Sequence, residues 1–201
     1  AMKMFFKGLG LNVLPYAWTY KEEYYHITGN QDFLDRAQAL GYPLIVKPSN
    51  LGSSIGITRV SDIQSLKAAM DIAFKFDHRV LVERALTDFI EVNCSVLGCP
   101  NEYKVSVCER PLSWQAFLTF EEKYLSKGVK MGGMDSLKRK LPADIPEEMS
   151  STIQNQSKQV FLALGCKGVI RIDYIIDKTD NTVYINEVNT IPGSLSYYLW
   201  D

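Results

Sequence analysis

From Arg171 to Thr190 the chain reads RIDYIIDKTDNTVYINEVNT, two apolar, β-branched runs on either side of a turn-rich Asp-Lys-Thr-Asp-Asn-Thr segment. This is the pattern of a β-hairpin. In a strand, residues two apart share a face, so Arg171 and Asp173 point one way together, as do Glu187 and Asn189. A turn centred on Asp180 pairs Asp173 with Glu187 and Arg171 with Asn189, with opposed side chains roughly 5 Å apart. Two carboxylates at that spacing repel unless positive charge sits between them. A Mg²⁺ ion suits the need, because it takes oxygen ligands, commonly one or two carboxylates completed by phosphate oxygens. A solvated polar face would account for two acids alone. The addition of Arg171 and Asn189 favours a metal–phosphate site.

The remaining periodicities alternate between helix and strand. MKMFFKGLGL, at the start, reads as the tail of a helix closing at Gly8 or Gly10. Thr19-x-x-Glu22 and Ser61-x-x-Gln64 read as capping boxes. A short helix is expected from Asp32 to Gly41. After Ser61 the apolar stripe Ile63, Leu66, Met70 and Ala73 marks a core-facing helix. Pro146 opens a further helix running to Gly165, with Ile153, Val160 and Leu164 on its buried side. The runs 42–48, 55–60, 79–85, 90–98 and 102–109 read as strands. The segment 126–145 is glycine-rich and basic, and it reads as a long loop, a lid or a disordered segment by its length.

Composition narrows the class. With 201 residues, 46% hydrophobic and 22% charged, the chain is an ordinary globular protein of one domain or two small lobes. A net charge of −1 and no basic stripe argue against nucleic acid as a partner. No apolar run approaches the ~20 residues of a membrane span. The cysteines Cys94, Cys99, Cys108 and Cys166 have no metal spacing, and free thiols in a reducing cytoplasm are the plain reading. His26 and His78 sit in polar surroundings and read as surface residues.

Three further stretches carry chemistry. In IVKPSNLGSSIGITRV (45–60) a strand delivers Lys47 into a small-residue turn. Successive backbone N–H groups in such a turn can cradle phosphate oxygens, with Lys47 adding a point charge, although a plain hairpin turn has the same look. In VERALTDFIEVNCSVLG, Glu83 ends one strand and Glu91 starts the next. A connection of that kind between two lobes can hold adenine by its backbone and ribose by a carboxylate. In FEEKYLSKG (120–128), Lys123 and Tyr124 precede the glycine-rich loop. A lysine at the base of a lid can close on a γ-phosphate.

The order of these pieces, KPSNLGSSIG, then EKYLS, then RIDY with NEVNTIPG, resembles the D-alanine–D-alanine ligase branch of the ATP-grasp superfamily over nearly the whole chain. The resemblance implies an α+β, ATP-grasp fold with two lobes whose antiparallel sheets enclose a nucleotide. Its expected division is 1–18 as the end of a preceding helix and a linker, 19–86 as the small lobe, and 87–201 as the large lobe with the lid. It implies ligation of amino acids through an acyl phosphate for peptidoglycan precursors, with ATP and two Mg²⁺ ions, Mn²⁺ being able to replace them. Lys47 and Lys123 would contact phosphates, and Ser53 and Ser54 would cover them. Glu83 would lie beside an adenine read by the backbone of Arg84, Ala85 and Leu86, and Glu91 would hold the ribose. Asp173, Glu187 and Asn189 would hold metal, with Arg171, Gly193 and Tyr124 as catalytic residues. The expected partners are ATP and D-alanine or a related amino acid, in a cytoplasmic protein that is a homodimer at full length. The chain departs from the family at Tyr198, where a serine usually binds the acceptor carboxylate, and it lacks the domain that binds the first D-alanine. Two other readings stay open: a ligase for a different amino acid or carboxylate, and a non-catalytic ATP-binding module.

Overall fold

The computed structural model describes residues 2–26, 29–52, 55–112 and 139–200. They form two compact units, one from residues 14–87 and the other from residues 2–13, 88–112 and 139–200. The helix expected to precede a linker, α1 (Met2–Gly8), therefore belongs to the second unit, where Phe6 is buried. The connection after it docks there too: the Leu9 carbonyl accepts from the Gln159 side chain at 3.0 Å, and the Ile185 amide donates to Asn12 at 2.9 Å.

In the first unit the strands β1 (Tyr16–Tyr20), β2 (Leu44–Pro48), β3 (Thr58–Val60) and β4 (Arg79–Arg84) form an antiparallel sheet in the order β1-β4-β2-β3. Helices α2 (Lys21–Tyr24), α3 (Gly29–Gln38) and α4 (Ile63–Ala73) supply the rest. Leu44, Val46, Val80 and Val82 on one sheet face pack with Phe33, Leu34, Leu66, Met70 and Ala73. The predicted stripe of α4 is thus core, with Ile63 at its margin.

Two predicted caps move. Thr19 does not start a helix; it lies in β1 opposite Val80, and its hydroxyl donates to Glu23 at 3.0 Å. A β-branched residue in a ladder is better served by the strand. In α4 the cap is Asp62 and not Ser61. Asp62 accepts the Ser65 amide at 2.8 Å and donates its own amide to the Ser65 hydroxyl at 3.3 Å, a capping box one residue later than expected. Helix α3 likewise begins at Gly29, three residues before Asp32.

The second unit holds β5 (Phe89–Cys99), β6 (Glu102–Val105), β9 (Gly168–Asp177) and β10 (Val183–Asn189) in the antiparallel order β10-β9-β5-β6, with a short pair, β7 (Arg110–Pro111) and β8 (Arg139–Lys140). Ile170, Ile172, Tyr174 and Ile176 line one face of β9 and are buried, as are Val92, Cys94 and Val96 of β5. Helix α5 (Glu147–Ala163) contributes Ile153, Val160 and Phe161 to the buried set, and its Ser157 hydroxyl meets the Tyr174 hydroxyl at 2.9 Å. Leu164, expected on the buried side, is the exposed C-cap, and Phe161 takes its place. The other face of β9 carries Arg171, Asp173 and Asp177, together with Val169 and the buried Ile175.

The turn from β5 into β6 is close-packed. Gly98 has φ +139, and a Cβ there would lie 2.2 Å from the Glu102 carbonyl oxygen. Gly98→Ala should therefore lower stability by at least ~2 kcal/mol, read as a lower urea midpoint at unchanged m. An unchanged midpoint would mean that this turn relaxes freely.

Candidate functional site

The hairpin β9–β10 has the register read from sequence at its open end: Asp173 pairs with Glu187 and Arg171 with Asn189. Nearer the turn the pairing differs, with Val183 opposite Ile176 and Ile185 opposite Tyr174. A register shift between Ile185 and Glu187 reconciles the two halves. Val183 and Ile185 face the core, and simple alternation would turn Glu187 there as well. The extra residue Asn186 reverses the alternation, so that Glu187 and Asn189 join the face of Asp173.

That face extends across β5. Asn93 lies opposite Asp173, Ser95 opposite Arg171 and Glu91 opposite Ile175. Asn93 is also bridged to Glu109, beyond the end of β6. One row thus reads Glu109, Asn93, Asp173, Glu187. Arg171 grips Asp173 with both arms of its fork, Nε to Oδ1 at 2.7 Å and Nη2 to Oδ2 at 2.8 Å. The Asn189 amide donates to Asp173 at 2.9 Å and to Glu187 at 3.4 Å. Burial alone would lower the Arg171 pKa, but hydrogen bonding and charge from Asp173, joined by Tyr198, hold it above its ordinary value. Glu91, expected to hold ribose, lies in the field of the same acids. Its carboxyl is pushed up to about 7, first by burial and then by the charges of Asp173 and Glu187.

Sequence reasoning missed Glu109 and Arg139. Glu109 is buried and accepts from Asn93 at 3.2 Å and from the Tyr198 hydroxyl at 3.1 Å, with Arg139 at 3.5 Å. The Arg139 guanidinium lies over the Tyr198 ring, 4.0 Å from its centroid. Tyr198 arrives through the 3₁₀ segment Gly193–Leu199, in which Ser194, Leu195 and Ser196 have φ of 50°, 51° and 53°. Only the departure at Tyr198 hinted at this cluster, because Glu109 is distant in sequence from everything it touches.

In the first unit, β2 and β4 set Ile45 opposite Glu83 and Lys47 opposite Leu81, on the face turned from the helices. Lys47 and Glu83, read separately from sequence, form an ion pair there, and the Glu83 side chain is only 3% exposed. The Arg84 and Ala85 amides donate to the carbonyls of Pro15 and Pro43 at 3.0 and 2.9 Å, so those two donors are committed within the protein. Ser53, Ser54, Lys123, Tyr124 and residues 126–138 of the expected lid lie outside the described residues.

The donor set fits a hard cation. Asp173 and Glu187 offer carboxylates and Asn189 an amide oxygen, all oxygen donors. Among the described residues no group of three or more His, Cys, Asp or Glu is placed to hold a metal alone.

Comparisons with known proteins follow the same line. The profile of the family described as "D-ala D-ala ligase C-terminus" matches residues 5–200. The chain is 41% identical to a D-alanine–D-alanine ligase of Thermosipho africanus over 199 residues, covering 98% of this chain and 51% of that one. It is similar in structure to the VanG D-Ala:D-Ser ligase from Enterococcus faecalis, with TM-score 0.73, 30% identity, and coverage of 96% of this chain and 52% of that one. The D-alanine–D-alanine ligase from Helicobacter pylori gives TM-score 0.69 and 27% identity, with 100% and 52% coverage. The chain spans about half the length of the relatives it matches.

Arg171 is the counter-charge of Asp173, so a cation taken up at Asp173 would compete with it for the same oxygens. Arg171→Met should bind Mn²⁺, followed by electron paramagnetic resonance without nucleotide, more tightly than the unaltered chain, by roughly 10-fold for the loss of a charge-assisted fork. Equal or weaker binding would remove Arg171 as the competitor.

Proposed function

The chain belongs to the D-alanine–D-alanine ligase C-terminal family, and from that premise we propose that it is the nucleotide- and metal-handling part of an ATP-dependent ligase forming D-alanyl-D-alanine for peptidoglycan precursors. The observation that carries the reading is the hairpin register that sets Asp173 against Glu187 and Arg171 against Asn189 on one face. A protein that only binds nucleotide has no need of a guanidinium among its metal-facing acids.

In this reading a first amino acid's carboxylate takes the γ-phosphoryl group of ATP, and ADP leaves. The amine of a second amino acid then attacks the acyl carbon, and phosphate leaves as the peptide bond forms. Asp173, Glu187 and Asn189 would hold Mg²⁺, which would neutralise phosphate charge. Arg171 then turns its fork from Asp173 to the transferring phosphoryl group and the tetrahedral oxygen, where fixed donors to developing charge are worth several kcal/mol. Lys47 exchanges Glu83 for the α/β-phosphates, while Glu91 serves the ribose and the Leu86 backbone the adenine. Ser53, Ser54, Lys123 and Tyr124 are proposed to close over the phosphates, and the Gly193 backbone to hold the acceptor. The partners are small molecules in the cytoplasm. Among the described residues no helix is long and apolar enough to cross a membrane.

A second reading concerns the acceptor. The Tyr198 hydroxyl is engaged by Glu109 at 3.1 Å and its ring by Arg139, so it is not offered to an acceptor carboxylate as a serine there would be, and a ligase for a different amino acid or carboxylate stays open.

Two measurements test these readings. Phosphate release by the full-length protein, across a panel of D- and L-amino acids, should require an amino acid and should rank D-alanine first. Release that ignores the amino acid would overturn the ligase, and a different leading substrate would favour the second reading. Glu187→Gln keeps the side-chain shape and loses the charge, so turnover at limiting Mg²⁺ should fall by at least ~10-fold while the melting temperature holds. For the chain itself, Mg·ATP at about 100 times its Kd should add about 2.7 kcal/mol of stability, seen as a rise in melting temperature.

A further inference from the structure

The turn that follows Lys47 is held from a position that no sequence motif marks. After α4 the amides of Phe76 and Asp77 return to the Ala73 carbonyl at 3.0 and 3.1 Å. Both residues are thereby fixed against the last turn of the helix. From there Asp77, with a side chain only 4% exposed, directs its carboxylate at the exit of β2. Its Oδ2 accepts the Asn50 backbone amide at 2.7 Å. Its Oδ1 accepts the Asn50 side-chain amide at 3.2 Å and the Arg79 amide at 3.2 Å, and lies 3.1 Å from Nδ1 of His78. Beside them the Ser49 amide donates to the Arg79 carbonyl at 3.0 Å, extending the ladder by one bond.

The returning leg of the turn is fixed by contact. Gly56 has φ +73, and a Cβ there would come within 2.9 Å of Pro48 Cγ and 3.0 Å of Phe76 Cδ2. Two neighbouring residues, Phe76 and Asp77, thus meet both legs: the ring abuts Gly56 and the carboxylate holds Asn50. Burial alone would raise the Asp77 pKa, but hydrogen bonds from Arg79 and Asn50 bring it below its ordinary value.

We propose that Asp77 is a positioning residue for nucleotide binding, which holds Asn50 so that the backbone leaving β2 is preset to receive phosphate oxygens. The inference rests on the ATP reading above. A turn of small residues without an anchor loses conformational freedom when it closes on a ligand, and this cost weakens binding. Anchoring at Asn50 removes part of that cost beforehand. Only a carboxylate suits the place. The Asn50 and Arg79 N–H groups that meet it are donors, and an asparagine would set its own N–H₂ against them.

The test uses this chain, with amide exchange at Asn50 and calorimetric titration with Mg·ATP. Asp77→Asn should lose protection at Asn50 and Arg79 while β2 and the rest of β4 keep theirs, and should bind Mg·ATP on the order of 10-fold more weakly. Asn50→Ala, which keeps the backbone bond, should show a smaller loss of the same kind. Met70→Ala, a core change away from the turn, should lower the melting temperature and leave the affinity unchanged, separating positioning from general stability. Unchanged affinity in Asp77→Asn, or an equal loss in Met70→Ala, would overturn the role of Asp77 alone. Failure of the unaltered chain to bind Mg·ATP would instead overturn the nucleotide reading. Protection at Asn50 would then still show whether Asp77 holds the turn.

Discussion

Four carboxylates, those of Glu91, Glu109, Asp173 and Glu187, share one face of a four-stranded sheet, and the arrangement of the second unit depends on how their repulsion is offset. Like charges in adjacent strands destabilise a sheet unless each finds a partner. Here Arg171 takes Asp173 with both arms, Asn189 spans Asp173 and Glu187, and Glu109 is enclosed by Asn93, Tyr198 and Arg139. Glu91 has its pKa pushed up to about 7, first by burial and then by the charges of Asp173 and Glu187. These contacts replace the water that burial removes, and breaking one strands a charge in a poorly solvated place. The metal and phosphate contacts proposed for this face would meet the same demand for positive charge. Structure and chemistry draw on one electrostatic constraint.

The first unit applies the opposite solution to a similar problem. Its paired charges, Lys47 and Glu83, neutralise each other across two strands, so neither is left buried alone. The described ends of the turn beyond them are held at Asn50 by Asp77 and at Gly56 by its close approach to Pro48 and Phe76. Backbone amides bind anions well only when they are already aimed. Small residues permit the close approach, and a neighbouring segment supplies the rigidity.

Much of this was legible from residue order. Period-two alternation located β9 and β10, and a turn centred on Asp180 paired Asp173 with Glu187 correctly. The pairing nevertheless depends on Asn186, whose bulge offsets a turn half a residue away from that centre. Local signals failed where tertiary contacts outbid them: Thr19 has the form of a helix cap, yet its ladder with Val80 keeps it in a strand. Leu164 fits the helical stripe, yet α5 ends before it can be covered. Glu109 and Asp77 gave no signal, since a single acid at a strand or helix end is commonplace.

Taken alone, the amino-acid order determined the alternation of elements, the face that Arg171 shares with Asp173 and the face that Glu187 shares with Asn189, and the family to which the chain belongs. These follow from the fixed periods of helix and strand, which need no knowledge of what lies opposite. The tertiary structure alone decided which acid meets which donor. Glu91 joined the acids of the hairpin, Lys47 met Glu83, Tyr198 came to rest between Glu109 and Arg139, and Asp77 took hold of Asn50. Partners such as these are separated by tens of residues, and which of them meet depends on chain closure and packing, which local periodicity does not encode.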